Sequence, residues 1–567
     1  AHGTSNPWGV DFNDHGQAFI TACVIPHLYH IIQGARYQRQ GGRHFNPHTY
    51  RDIVTIADHL HYLGATPHGG NSKSDSAGGG HAHSGAMIYL GDRWPSKYRN
   101  HLLMNNIHGQ RLNVDIPEPQ GSGYVGKHGN DFLLTGDQAS QILNLRYGPD
   151  GNAWMIDWYD MQACHRREVD VHDRSNGRIY KISYGDLDPQ RQPVDLAKST
   201  DSELASMVLH SNDWYVRHGR RLLQERAAVR KIDPDALIRL RGVATDHADD
   251  TRRLRAAWAL HVTGNLTDQV AESLFDDRSP YVRGWAIQMA MEESDDQPSQ
   301  ELIRRFEAMA ETDDSPIVRL YLASAAGRLP LRSRWNLLQG LTMHGEDADD
   351  HNLPLMYWYA AEPLADVDPT RALALAMSAG ERIPLLREFM LRRIGSDGSE
   401  RSLSVLIEGL GDAMTSAMQL TYLKAIRSSL EGRRSVEAPA SWKNVSQQLL
   451  SNDDEDVRLQ SIALGVTFGD TDALAAIRSR VVDDAASVSE RRVALNSLLD
   501  RNDQGLVPTL LLLLKADPTL REIAIRGLAQ YDDPTIAAAL LAEYAEFSPT
   551  QRRLTLGTLC ARAASGI

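Results

Sequence analysis

Ser279-Pro-Tyr-Val-Arg283-Gly-Trp-Ala286 and Ser315-Pro-Ile-Val-Arg319-Leu-Tyr-Leu-Ala323 are two statements of one phrase, and it decides the fold of most of the chain. It returns as Glu455-Asp-Val-Arg458-Leu-Gln-Ser-Ile-Ala463 and as Asp517-Pro-Thr-Leu-Arg521-Glu-Ile-Ala-Ile525. Related versions stand at Thr251-Arg-Arg-Leu-Arg255-Ala-Ala-Trp258 and Ser489-Glu-Arg-Arg492-Val-Ala-Leu495. Successive arginines are 28 residues apart (255 to 283), then 36 (283 to 319), 34 (458 to 492) and 29 (492 to 521). Asp or Ser followed by Pro starts a helix, since Pro fits the first turn and the side-chain oxygen takes an orphan N–H. The β-branched and Ala positions then face a neighbouring helix, and the arginine reaches acidic groups of the adjacent repeat. A single helix pair cannot bury its own apolar face, so the pairs stack into a solenoid. The pattern predicts helical repeats over 206–567, a scaffold or interaction surface.

Upstream the sequence changes character. Sixteen of the 22 histidines lie in residues 1–180, and 24 of the 43 glycines lie in residues 1–185. Residues 1–185 carry equal numbers of acidic and basic side chains, so the whole formal charge of −13 belongs to the remainder. This asymmetry argues for parts of different class, here 1–184, a linker at 185–205, and the repeats. The first part reads as short strands and turns. Asn6 to Thr21 is a strand, an Asn-Asp-His-Gly turn and a second strand. Leu145 to Trp158 repeats the plan around Pro149-Asp-Gly151, a direct hairpin signal, and Asn176 to Ser183 supplies a further strand. Strand–turn–strand phrases with long insertions between them are the pattern of propeller blades. The expected fold is therefore multidomain β + α: a partial β-propeller followed by an α-solenoid.

The helical phrase resembles HEAT repeats. Ser84 to Met104, with its Tyr89-Leu-Gly91 and Trp94-Pro95 pieces, resembles a signature of glucose/sorbosone dehydrogenase-type propellers, and Tyr147 to Gly151 and Asn176 to Ile179 match their last blade. Asn6-Pro-Trp-Gly9, Gly-Gly-His81-Ala-His83, Asn105-Asn-Ile-His-Gly109 and His172-Asp-Arg-Ser-Asn-Gly177 are similar to a group of large bacterial proteins described as membrane-bound dehydrogenases. These join such a propeller to HEAT repeats and then to cytochrome c. The resemblance implies an exported, periplasmic or cell-envelope protein that oxidises a sugar or polyol and passes electrons to an external acceptor. It also implies pyrroloquinoline quinone with Ca²⁺, and it makes this chain an internal piece of something longer. The chain departs from the pattern in two places. Gln141 and Leu143 stand where the quinone-binding propellers carry two arginines, the guanidinium partners that a planar tricarboxylate needs. The blade that holds the family's general-base histidine, and the haem motif, lie outside the chain; Met161-Gln-Ala-Cys164-His165 lacks the first cysteine of that motif. The other reading is a non-catalytic module in which the propeller recognises carbohydrate or protein and the repeats hold a protein partner.

The histidine excess is the remaining chemical clue. His81 and His83 alternate on an expected strand, so both point to one face. With His68 before them and His108 on a following strand, they are candidates for a metal or proton-transfer site, or else histidines satisfied by hydrogen bonds. Asp157, Asp160 and His165, with Asp173 and Arg174, line a face of the propeller or pin a long surface loop. Gly121-Ser-Gly-Tyr-Val-Gly126 has dinucleotide-fingerprint spacing without the strand–helix context, and Gly78-Gly-Gly80 reads as a flexible approach to a strand. Cys23 and Cys164 are a disulfide pair or two separate thiols. An acidic chain without a Lys/Arg-rich run is a poor ligand for nucleic acid. No apolar stretch is long enough to span a bilayer, and no charged-then-apolar leader follows Ala1.

Overall fold

A computed structural model describes residues 1–4, 6–23, 27–63, 72–161, 172–173, 175–186, 193–295, 297–433, 436–500 and 502–561. Strands fill the first part. They are β1 (Pro7–Phe12), β2 (Ala18–Ala22), β3 (Leu28–Ile31), β4 (His83–Ile88), β5 (Leu102–Asn106) and β6 (Arg111–Gln120). After them come β7 (Gly123–His128), β8 (Leu133–Leu134), β9 (Ile142–Tyr147), β10 (Ala153–Asp157) and β11 (Arg178–Ile182). They form three antiparallel sheets, ordered β1-β2-β3, β4-β5-β6-β7 with β8 on β6, and β11-β10-β9. Among the described residues these are three separate open sheets, and the region is sheet-rich.

Both expected hairpins are present, β1–β2 around Asn13 to Gly16 and β9–β10 around Gly148 to Gly151. Gly16 has φ +72, and a Cβ there would meet the rings of Trp258 and Trp285 at 2.7–2.8 Å, so the turn needs glycine for conformation and for room. The Gly121 to Gly126 phrase is a third hairpin, since Gln120 pairs with Gly123 across the β6–β7 turn. Pro117 and Pro119 lie on β6 itself, beyond the residues that pair with β5, where a missing N–H costs no ladder bond on that side. Phe19, Leu28, Met87, Leu102, Leu103, Met104, Val114, Ile142 and Met155 form one apolar cluster linking the three sheets. Each such side chain contributes about 2 kcal/mol on burial.

From Asp201 to Cys560 the chain is a succession of helices. Helices Asp250–Val262, Pro280–Glu293, Pro316–Arg328 and Leu353–Ala361 pack each on the next, and intervening helices such as Gln300–Thr312 and Trp335–Leu341 pack in a second row. That is the stacked-pair arrangement of a helical solenoid. The repeated arginines make a ladder. Arg283 donates to the Asp313 carboxylate at 2.7 and 2.8 Å and to the Asp277 carbonyl; Arg319 does the same to Asp347 and to the Asp313 carbonyl. Asp277 and Asp313 thus each serve two repeats, the carbonyl its own and the carboxylate the one before.

The ladder corrects two registers and two caps. In the Thr251 phrase the ladder arginine is Arg253, bound to Asp277 and to the His247 carbonyl; Arg255 turns instead to Asp14 and Asp213. In the Ser489 phrase it is Arg491, paired with Asp517, while Arg492 is exposed. A helix advances about 100° per residue, so a shift of one or two positions re-aims the side chain. Ser279 and Ser315 make no side-chain cap. Asp277 and Asp313, two residues earlier, accept their backbone N–H groups instead.

Contacts gather the chain into two compact units, Ala1–Pro363 with Ala379–Leu386, and Leu364–Ser378 with Arg387–Ile567. The change from strand to helix therefore falls inside the first unit. Helix Asp201–Ser206, opened by a Thr200–Glu203 capping box, occupies the end of the stretch expected as a linker. Asp14 ties sheets to helices within this unit, accepting two bonds from Arg99 and one from Arg255, which itself is almost fully buried. In the second unit, helices from Trp442–Leu450 to Pro549–Cys560 continue the pairing around Leu495, Leu498, Leu510, Ile525 and Leu540. No helix among the described residues is long and apolar enough to cross a membrane.

Candidate metal centre

Four side chains from three places in the sheet region converge on one point. His27 immediately precedes β3. Asp115 lies on β6 where that strand leaves β5 and takes up β7, opposite Leu102 on one side and His128 on the other. His59 and His61 follow a short extended stretch laid along β7, held by bonds from Gly126 N–H to the Ile56 carbonyl and from Asp58 N–H to the Gly126 carbonyl. The Asp115 carboxylate is completely buried. Its Oδ2 is 2.9 Å from His27 Nε2, and its Oδ1 is 3.2 Å from both His59 Nε2 and His61 Nε2. The two Nε2 atoms are themselves 3.1 Å apart. One ligand atom from each of the four residues lies within 4.8 Å of every other, the grouping among the described residues that can hold a metal ion.

The outer nitrogens of two of these rings are fixed. His61 Nδ1–H donates to the Ala77 carbonyl at 2.9 Å, and His59 Nδ1–H donates to Asp58 at 3.0 Å. Asp58 is held in turn by Lys127 at 2.8 Å. Both imidazoles therefore present Nε2 inward, the arrangement that carboxylate or carbonyl partners impose on metal-binding histidines. Gly78 makes it possible for the loop to pass: with φ +124, a Cβ there would sit 2.0 Å from His61 Nδ1. The Gly78 carbonyl accepts from Asn106 and Asn113. Of the triple-glycine stretch, expected as a flexible approach, Gly78 is thus fitted against His61, while Gly79 lies against Arg111 and Gly80 against His108.

Further imidazoles surround the four. The ring of His83 lies 5.1 Å from that of His27 and 5.2 Å from that of His61. His83 is fully buried, and its Nδ1 has no hydrogen-bond partner among the described residues. His128, exposed, stacks on His59 at 4.6 Å. Burial works against the Asp115 charge, yet the three histidines hold the carboxyl well below its usual range. Burial lowers His27 despite the attraction of Asp115, and burial, then His27 and His61, push His83 well below the ordinary imidazole value. His59 is raised: burial opposes its charge, but Asp115 and Asp58 outweigh it. The arrangement can bind a cation or hold and pass a proton.

The residues singled out from the sequence are dispersed. His83 opens β4 and borders the cluster, but His81, just before the strand, stacks at 4.4 Å on His108 and adjoins Tyr62. His108 sits in the turn after β5 rather than on a strand. Asp157 is buried, its carboxylate taken by Ser140 Oγ–H and by the N–H groups of Gln141 and Tyr159. Gln141 donates its amide to the Asp160 carbonyl, and Asp160 Oδ2 accepts the Asp173 N–H. Asp173 is exposed and closes a turn with Ser175 and Asn176. His68, Cys164, His165 and Arg174 lie outside the described residues, and with them the Cys23–Cys164 pairing; Cys23 forms an isolated bridge to Ala82. The reading missed His27, His59, His61 and Asp115. The signal for two of them was Asp58-His-Leu-His61, a second His-x-His phrase beside the His81–His83 one; nothing local marks the other two.

A family described as a domain of unknown function, DUF7133, matches residues 1–186. No curated protein matches the chain. Among solved structures, the chain is similar to one titled "Crystal structure of Kap121p", at 12% identity over 64% of this chain and 45% of that one, with TM-score 0.37. It is also similar to "Crystal structure of Kap121p bound to Nup53p" (13% identity, 63% and 40% covered, TM-score 0.29). A third likeness is to "Homology model of the full-length AP-3 complex in an intermediate open conformation" (15%, 63% and 74%, TM-score 0.25). The chain spans less than half the length of Kap121p.

Proposed function

We propose that the sheets carry the chemistry of this chain and the helices carry its partners. In this reading the protein is dehydrogenase-like and lies in the cell envelope. The three antiparallel meanders are the last blades of a propeller, and the solenoid is a surface for another protein. The reaction is oxidation of a sugar or polyol: the hydroxyl proton passes to a base, and two electrons with the carbon-bound hydrogen pass to an external acceptor. The observation that carries the reading is the His27–His59–His61–Asp115 cluster. A catalytic module needs preorganised polar groups at a buried yet reachable position, and this cluster, with the edge of His59 toward solvent, is such a place.

One observation favours the non-catalytic alternative. Where the resemblance expects quinone-binding arginines, Gln141 is buried and its amide is spent on the Asp160 carbonyl. A dye-linked dehydrogenase assay on the full chain, with aldoses and polyols, with and without pyrroloquinoline quinone and Ca²⁺, separates the two. Substrate-dependent dye reduction is the expected result. No turnover with any of them, together with retention on a carbohydrate or protein matrix, assigns the binding module instead.

A further inference from the structure

The inner faces of His59, His61 and Asp115 pose a problem of proton placement. Both Nδ1 atoms are committed as donors, so each neutral ring turns a bare lone pair inward, toward the other and toward a carboxylate oxygen. Protonating both rings instead drives two N–H groups at each other across 3.1 Å. A single proton shared from one ring can bridge the three atoms, and so can a cation seated between them, which engages every lone pair at once.

The spacing suits one. The three atoms form a triangle with edges of 3.1, 3.2 and 3.2 Å. Ligands about 2.0–2.1 Å from a transition metal are roughly 3.0 Å apart on an octahedral face and 3.4 Å on a tetrahedral one. The His27 Nε2 and Asp115 Oδ2 atoms lie beside this triangle. His83 Nδ1, wholly buried and without a partner among the described residues, belongs to a ring against His27 and His61.

We propose that His59, His61 and Asp115 form one face of a binding site for a single divalent transition-metal ion, with His27 as the fourth ligand and His83 in reserve beside it. The donor set names the class. Imidazoles with a single carboxylate and no thiolate suit zinc, iron, copper or nickel, whereas calcium and magnesium take oxygen ligands. The centre is therefore different from the Ca²⁺–quinone site that the dehydrogenase resemblance implies. Two histidines and a carboxylate on one face leave the opposite positions for water or substrate, as in non-haem iron sites, and the way in lies past the partly exposed edge of His59.

The test uses the full chain, stripped with chelator and titrated with Co²⁺ and with Zn²⁺, bound metal being measured by elemental analysis and Co²⁺ also by its visible ligand-field bands. One equivalent is expected. His59→Ala/His61→Ala should abolish stoichiometric uptake, and His81→Ala should leave it intact. Asp58→Asn keeps every ligand and removes only the support of His59; it should weaken binding by about 10–100-fold. Circular dichroism checks that each variant is folded. No uptake by the wild-type chain, or equal uptake and affinity in the double variant and in Asp58→Asn, overturns the site. Should the double variant fail to fold, the wild-type stoichiometry and the Asp58→Asn affinity decide. Co²⁺ binding without sugar oxidation leaves the site standing and removes the dehydrogenase reading; dye reduction without metal uptake does the reverse.

Discussion

The sheets and the helices of the first unit both bury charge, and they do it in opposite ways. In the helices the ladder arginines each have an aspartate of their own, and the pairs recur: Arg253 with Asp277, Arg283 with Asp313, Arg319 with Asp347. In the sheets one buried carboxylate, Asp115, draws three histidines. A one-to-one pair is complete in itself and serves stability. A three-to-one cluster is over-supplied with ligands for a single charge, and buried groups left in that condition mark sites of chemistry.

That contrast can be broken in four ways. Residues 1–184 made alone should aggregate, because Gly16, Asp14, Thr49 and Ser122 lose the Trp285, Arg255, Trp358 and Asp350 contacts that cover them. Residues 1–386 should stay soluble, and a monomeric, sharply melting 1–184 on size exclusion and calorimetry would show that the sheets need no helices. Next in size, Arg319→Ala should cost about 3–5 kcal/mol in urea unfolding, since it leaves a buried Asp347 with Tyr357 as its one remaining side-chain donor among the described residues. A loss below 1 kcal/mol would mean the ladder is ornament.

A smaller effect is acid sensitivity at the sheet–helix joint. Burial opposes the Asp14 charge, but Arg99 and Arg255 hold its carboxyl below the ordinary value. A depressed folded pKa gives stability that is fully present above the unfolded value, about 3.9, and is lost as pH falls through the folded one. The melting temperature should therefore drop below about pH 4, and Asp14→Asn should lower it at neutral pH while flattening that acid limb. Parallel acid limbs in both proteins would assign the drop elsewhere. Least of all, Arg305→Ala should change stability by under about 1 kcal/mol, because Arg305 and Asp276 meet in solvent.

What could be read beforehand follows from the same contrast. The helical phrase repeats, so Arg283 and Arg319 announce each other, and hairpin turns such as Pro149-Asp-Gly151 are local chemistry. The register within a phrase was less legible: Arg253 and Arg255 differ by half a turn, and only the packed neighbours show which one meets Asp277. The metal centre was least legible of all. Its ligands come from positions 27, 59, 61 and 115, brought together by a β6 strand that changes partners at Asp115 and a loop threaded along β7. His81-Ala-His83 and His59-Leu-His61 are equal as text; the difference is that His81 stands before its strand, where alternation has no hold, and finds His108 instead.

The double duty of Asp277 and Asp313 has a bearing on how such a chain can change. Each lends its carbonyl to one arginine and its carboxylate to another a repeat away, so a repeat cannot be cut out cleanly at its loops. Removing one leaves a donor on one side of the scar and an acceptor on the other, and they rejoin only if the excised length is one whole period. Recombination in this region should therefore tolerate gain or loss of complete repeats far better than a shorter deletion in the turn between two helices.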